Sequence, residues 1–360
     1  MAKPNKVFFI PAAAGEGAGS ISRKAAAAYL KIGLQEKLES EDFLALKIHF
    51  GEKHNTGHIK PQWLADLAFT LRKKTERIFL TDSNTLYVGQ RSNAVEHIRL
   101  AWSHGFRPDV LDVPVLIADG LIGHDKREGK GEHGRVAAPK VAGAFLESDA
   151  LLCLTHVTGH VQTGIGAAIK NLGMGCASRA GKLDQHSVAH PRVAPKHCRN
   201  CGLCIQYCPS DAFLQAEGHV LIDDKKCIGC GECIVVCKYG AIKVRWDEDY
   251  ARIQEKVAEY ARHVQSHFGK KIGFLNFLIQ VTKDCDCMAR NQPGIVEDIG
   301  ILASADPVAI DKATADLVVA RGCGKDAFRD GYDVDWSAQL RHGEAIGLGT
   351  MSYELIELPE

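Results

Sequence analysis

The residues of this 360-residue chain best suited to chemistry are eight of its thirteen cysteines, gathered in one short stretch. Cys198, Cys201, Cys204 and Cys208 are followed by Cys227, Cys230, Cys233 and Cys237, and each set reads C-x2-C-x2-C-x3-C. The second set repeats the first at a constant offset of 29 residues, which also matches Gly202 with Gly231, Ile205 with Ile234 and Ala212 with Ala241. The stretch is an internal duplication with pseudo-twofold character. Three thiolates on a tight glycine-containing loop can grip three irons of one cubane, while the fourth, beyond a short helical turn, points to the cluster of the other half. This spacing assigns Cys198, Cys201, Cys204 and Cys237 to one [4Fe-4S] cluster, and Cys227, Cys230, Cys233 and Cys208 to a second. Zinc ribbons also use C-x2-C pairs, but they separate the pairs by longer spacers rather than running four cysteines together.

A module of about 50 residues cannot be held by hydrophobic burial alone, so the clusters must supply much of its folding free energy. Without iron the stretch from Pro195 to Arg245 is expected to unfold. Its halves differ in one place. Cys208 precedes Pro209, as in bacterial ferredoxins, whereas Cys237 precedes Lys238. A different backbone near that second crossing is expected, with a cation that raises the potential of the nearby cluster.

A second group of chemistry-bearing residues follows apolar runs that read as strands. Gly51 to His58 follows one run and includes His54 and His58; Thr81 to Thr85 follows another, with Asp82 in it and Tyr87 and Arg91 beyond. His156 and His160 end a third, and Cys285 and Cys287, flanked by Asp284 and Asp286, end a fourth. In open α/β sheets ligands bind beyond the carboxyl ends of strands, so these ends are expected to converge on one crevice. Lys170, Asp82 and His156 are its candidate catalytic residues. Cys285 and Cys287 read as a redox-active or metal-binding pair, and with His160 as a candidate extra metal site. His156 and His160 would share a metal if helical. Thr163 to Cys176 is glycine-rich, so its backbone amides could approach an anion or cofactor beside Lys170. Gly15 to Gly19 lacks G-x-G-x-x-G spacing and reads as a flexible turn, and Cys153 reads as core packing.

Positioning these groups falls to an α/β pattern. Strands are expected near Lys6 to Ile10, Phe43 to Phe50, Arg77 to Leu80, Val110 to Leu111, Pro114 to Ile117, Ala150 to Thr155, Gly273 to Val281 and Ile299 to Leu302. Helices lie between them. Ser22 is expected to cap one running to Lys37, Ser92 one ending at Gly105, and Asp306 with Pro307 one ending at Gly322. Asp247, Glu248 and Asp249 begin a long helix closed by Lys270 and Lys271. The charged stretch Asp125 to Arg135 reads as a solvated loop. The expected fold class is α/β, a mostly parallel sheet with flanking helices, interrupted by an α+β two-cluster ferredoxin-like insert. Residues 1–190 and 246–360 would form the α/β domain and residues 191–245 the insert.

Lys and Arg number 44, as do Asp and Glu, so no net charge draws the chain to nucleic acid or to a membrane surface. No apolar run approaches the length of a membrane span, and the start of the chain lacks a signal-peptide core. A cytoplasmic setting is expected, and thirteen cysteines in a reducing compartment argue for metal or redox chemistry rather than disulfides.

The two cysteine runs, His156-Val157-Thr158-Gly159-His160, Lys170 to Gly175, Lys283 to Cys287 and Ile299 to Pro307 together resemble one family. It is the uncharacterised iron-sulfur centre proteins, in which a two-cluster bacterial-type ferredoxin domain sits inside a larger domain of unknown function. The resemblance covers nearly the whole chain and implies two [4Fe-4S] clusters, a cytoplasmic setting and a redox role, with no substrate. Three functions stay open: an oxidoreductase passing electrons from the module to a small molecule in the crevice, an electron carrier or redox adaptor docking a partner, and a metal or cluster carrier. The expected partner is a soluble electron donor or acceptor protein, and flavin is neither required nor excluded.

Overall fold

The computed structural model describes residues 4–87, 89–186, 190–244 and 249–359. Its centre is a nine-stranded sheet. Tyr353–Glu357, Asn5–Pro11, Gly300–Ser304, Ile272–Thr282, Ala150–His160, Leu44–Lys47, Ile78–Asp82 and Val115–Ile117 lie side by side in that order, and Gly164–Gly166 adds a short strand on Ala150–His160. Only Gly300–Ser304 and Gly164–Gly166 run against the rest. The carboxyl ends of Leu44–Lys47, Ile78–Asp82, Ala150–His160 and Ile272–Thr282 therefore share one edge.

Period-two alternation divides the core into two layers. Leu151, Cys153 and Phe274 face one side, against Val257 and Ala261 of helix Tyr250–Phe268 and Ala309 and Ala313 of helix Pro307–Arg321. Leu152, Leu154 and Leu275 face the other, against Ala25 and Ala28 of helix Ala18–Tyr29 and Leu67 and Leu71 of helix Ala65–Arg72. Each fully buried Leu or Phe side chain contributes about 1.5–3 kcal/mol, and the strands are covered on both faces as parallel sheets require. Cys153 is part of this packing.

Several local expectations need correction. Val110 and Leu111 belong to a helical turn, Pro108–Leu111, because Pro108 at its first position presets the helical φ. Ser22 lies inside its helix, with its hydroxyl accepting from Asp66 N, and that helix ends at Tyr29. Asn93, one residue after Ser92, is the cap of Ala94–Ser103, its side-chain oxygen accepting from Glu96 N. The long helix is capped by Asp249 as expected, while Asp247, Glu248 and Arg245 lie outside the described residues. Within Asp125 to Arg135, Lys126–Glu128 is a strand paired with Lys140–Ala142. Asp306 and Pro307 begin their helix as expected.

Sheet strands come from both sides of the cysteine stretch. At its ends, Arg192–Val193 pairs antiparallel with Ile242–Lys243, and inside it Phe213–Gln215 pairs with Val220–Ile222. The duplication extends to the backbone. Gly202 and Gly231 both take φ +77° at the start of the helical turns Leu203–Gln206 and Glu232–Val236, and Asp211 and Gly240, 29 residues apart, both have positive φ. Ala212 N donates to Cys208 Sγ at 3.3 Å, and Ala241 N to Cys237 Sγ at 3.1 Å. The expected departure at Lys238 does not reach these features, although Cys237 is buried where Cys208 is only half-buried and the turn before Cys237 is one residue longer.

Candidate functional site

Cys208, Cys227, Cys230 and Cys233 line one small cavity with Gly229 and Gly231. Burial pushes the Cys204 thiol up to about 11, and Cys237 and Cys198 lie close enough to push it the same way. Asn200 N donates to Cys198 Sγ at 3.4 Å. The apolar surroundings of these sulfurs include Phe213, Val220 and Ile234 from the stretch itself, and Leu86 and Leu183 from outside it. Buried Arg179, outside the stretch, donates to Glu232 at 2.9 Å and to the Ser92 carbonyl at 2.6 Å, tying the second cysteine loop to the rest of the chain.

A cavity of about 150 Å³ lies at the shared strand edge. Each strand end contributes to its wall: Lys47 and His49 from the first, Asp82, Leu86 and Arg91 from the second, His156 and His160 from the third, and Cys285, Asp286 and Cys287 from the fourth. Lys170 and Lys182 reach it from helices Ala168–Gly173 and Arg179–His186. Lys170, Asp82, His156, His160, Cys285 and Cys287 therefore meet in one place. His58 lies outside the wall, buried and stacked on His104.

Cations outnumber carboxylates around the cavity. Lys47, only 1% exposed, pairs with Asp82 at 3.0 Å, and Arg91 and His97 each approach the other Asp82 oxygen at 3.8 Å. Burial alone would raise the Asp82 carboxyl, but Lys47 and its neighbours hold it below the usual carboxylate range. Removing one partner of such a buried pair costs about 3–5 kcal/mol. Arg91 also donates to Glu52 at 3.1 Å and to His49 Nε2 at 2.8 Å. Lys182 donates to Ser83 Oγ and to the Asn84 carbonyl, each at 2.6 Å. Lys170 differs: among the described residues no hydrogen bond or ion pair engages its ammonium. Burial, reinforced by Lys47 and Arg91, lowers it to about 8.

The two histidines have unlike surroundings. Both lie in an extended strand, so the helical metal pair does not form. Nδ1 of His156 lies 2.9 Å from Asp286 Oδ2, and its Nε2 lies 3.1 Å from the Ile279 and Gln280 carbonyls. Acceptors at both nitrogens favour the doubly protonated ring. Burial opposes that charge, but Asp286 raises the pKa, and His156 in turn brings Asp286, despite burial, down to about 2. Nδ1 of His160 instead accepts from Gln162 N at 3.2 Å and Thr163 N at 3.1 Å. A ring nitrogen of His160 and the Cys285 and Cys287 sulfurs lie within 4.8 Å of one another, the candidate metal group among the described residues. The two sulfurs are joined as a disulfide.

The glycine-rich segment lines the crevice with Gly166 and Gly175 beside Lys170, but its helix start serves the protein's own contacts. The Ala168 and Ile169 amides donate to the Asp311 carboxyl group, each at 2.8 Å, so that helix start is already occupied, although burial raises the Asp311 carboxyl to about 7. A Cβ on Gly173 would lie 2.1 Å from the Val257 carbonyl, so this glycine permits helix packing. Burial raises the Cys176 thiol to about 12. Sequence reasoning missed Lys47 and Lys182. A lysine inside the apolar run Leu44 to Ile48 was the available signal, because a charge buried in a central strand needs a partner.

Fold and site define an α/β protein with a cation-rich crevice at the strand ends and a cysteine-rich segment beside it. The model of the domain of unknown function DUF362 matches residues 44–316, a span that includes both cysteine runs, and the chain belongs to this family. Comparison with curated proteins finds no match. Among solved structures, the lactate racemase apoprotein from Thermoanaerobacterium thermosaccharolyticum is similar at 11% identity and TM-score 0.40, over 76% of this chain and 51% of that one. A protein from Thermotoga maritima is similar at 9% identity and TM-score 0.38, over 72% and 50%. The chain spans about half the length of these structures. Among the described residues no helix is long and apolar enough to cross a membrane.

Proposed function

We propose that the chain is an iron-sulfur oxidoreductase in which residues 191–245 form a two-cluster ferredoxin-like module set into an α/β domain of residues 1–190 and 246–360, and that electrons pass from it to a small anionic molecule in the crevice. The observation that carries this reading is the thinness of the wall between the two sites. Leu86 lines the crevice and also belongs to the apolar cluster around Cys204, Cys233 and Cys237. Its Cδ1 lies 3.1 Å from where a Gly231 side chain would begin, in the loop between Cys230 and Cys233.

The donor set suits a pair of cubanes. Cys208 stands with Cys227, Cys230 and Cys233 around one cavity, Cys198 and Cys237 stand near Cys204, and the Asn200, Ala212 and Ala241 amides donate to sulfurs. When bound, [4Fe-4S] clusters supply single electrons. The chain's own groups then bind and protonate the acceptor. Lys47, Arg91 and Lys182 create a positive field that their partners only partly neutralise, which favours a carboxylate or phosphate. Lys170 holds the anion and, with an ammonium at about 8, can give up a proton near neutral pH. Asp82 and His156 act as positioning residues, Asp82 by fixing Lys47 and Arg91, and His156 by fixing Asp286. The electron source is a soluble carrier protein, and the setting is the cytoplasm.

The test is an anaerobic screen in which reduced protein meets a panel of small carboxylates and phosphates, with cluster reoxidation read by absorbance. One class should reoxidise the clusters, and Lys170→Gln should abolish this while retaining iron. Reoxidation by a partner protein but by no anion would overturn the oxidoreductase reading in favour of an electron carrier.

A further inference from the structure

We infer that Cys285 and Cys287 form a reversible dithiol–disulfide couple facing the crevice, able to store an electron pair between single-electron deliveries from the cysteine module. For its electron source the inference rests on the function proposed above. Its geometry stands separately, because both residues line the same cavity as Lys170 and their sulfurs are already joined.

A structural role explains this pairing poorly. Disulfides stabilise by closing loops in the unfolded chain, and the gain grows with loop length. Here the sequence separation is 2, close to the smallest loop a disulfide can close. A metal centre fits no better. His160 is the third member of the candidate metal group, and its Nδ1 accepts two backbone N–H bonds. The neutral ring therefore carries its proton on Nε2 and offers a metal no lone pair there. Two sulfurs alone are too few for a closed tetrahedral site.

The turn that carries the couple is held from both sides. Between the cysteines, the Asp286 carboxylate is paired with His156, and the Asp286 carbonyl accepts from Glu52 N at 2.9 Å. Just before them, Asp284 accepts from Arg290 and Tyr332, and its carbonyl accepts from Thr282 Oγ1 at 2.8 Å. Opening the S–S bond therefore leaves both cysteines at the crevice, their sulfurs moving apart only to van der Waals contact. In the reductive step the S–S bond breaks, two protons from solvent form the two S–H bonds, and the two electrons would be supplied singly by clusters held at the cysteines of the module. Reoxidation returns the electron pair and protons to the acceptor in the crevice and restores the S–S bond.

The experiment is an anaerobic reductive titration of the oxidised holoprotein with dithionite and a viologen mediator, beside Cys285→Ser/Cys287→Ser. Wild type should take up ~4 electrons per chain and the double variant ~2, the difference being one two-electron disulfide couple. In wild type, alkylation and peptide mapping should find Cys285 and Cys287 blocked before reduction and labelled after it, a readout that needs no variant. Equal uptake by both proteins, or full labelling before reduction, overturns the couple. A two-electron difference with no further uptake by either protein keeps the couple and instead removes the iron-sulfur reading.

Discussion

The α/β body and the cysteine segment are built on different terms. The sheet buries two continuous apolar layers, and buried charges such as Lys47 and Asp82 are affordable there because tens of packed side chains surround them. The segment from 191 to 244 has a far smaller apolar cluster, three of whose buried members are the cysteines Cys204, Cys233 and Cys237, and two of whose others, Leu86 and Leu183, come from the body. With so little core of its own, the region on the proposed reading takes stability from the clusters its cysteines would bind and from its seam with the body. The crevice needs no such help, since its side chains are fixed by strands and helices that fold for their own reasons.

The largest break in that comparison should come from removing iron. Anaerobic chelation is expected to strip hydrogen-exchange protection from the amides of residues 191–244 while Ala150–His160 and Ile272–Thr282 keep theirs. Equal loss in both regions would show that the body also depends on the metal.

The seam comes next. Glu232→Ala leaves the fully buried Arg179 guanidinium without its carboxylate, and loss of one partner of such a pair costs about 3–5 kcal/mol. Urea unfolding at constant iron content should show this cost, with exchange rising first along Arg179–His186. No change would mean that the segment and the body are joined elsewhere.

A smaller effect separates the crevice from the module. Lys170→Gln should weaken inorganic phosphate binding about tenfold, or ~1.4 kcal/mol, by calorimetry, without changing iron content. The pH dependence has a definite sign. The Lys170 ammonium, lowered by burial to about 8, is charged below that pH, so wild-type binding should fade as pH rises through about 8, and this break should vanish in the variant.

These regions also differed in how far they could be read from sequence. The cysteines proposed as cluster ligands sit close together along the chain, as they would if one small inorganic object fixed their spacing, and the 29-residue repeat extends to the matched Asp211 and Gly240 backbones. The sheet direction and the four strand ends were legible from alternation. The crevice was legible only in part. His156 and Lys170 stood out by type, whereas Lys47 and Lys182 take their meaning from partners such as Asp82, Ser83 and Asn84, distant in sequence from one or both. The length of Ala150–His160 was also underestimated, because its last residues pair with Gly164–Gly166 after a turn that hydropathy does not reveal. The cap at Asn93 rather than Ser92 turned on one side-chain hydrogen bond between adjacent candidates.

The most direct test of the central claim is metal analysis of protein purified without oxygen, with iron, sulfide and zinc quantified and the dithionite-reduced sample measured by electron paramagnetic resonance. The account predicts about 8 iron and as many sulfides per chain, four to each cubane, with signals from two interacting reduced clusters. Colourless protein carrying zinc at Cys198 to Cys237 would contradict it.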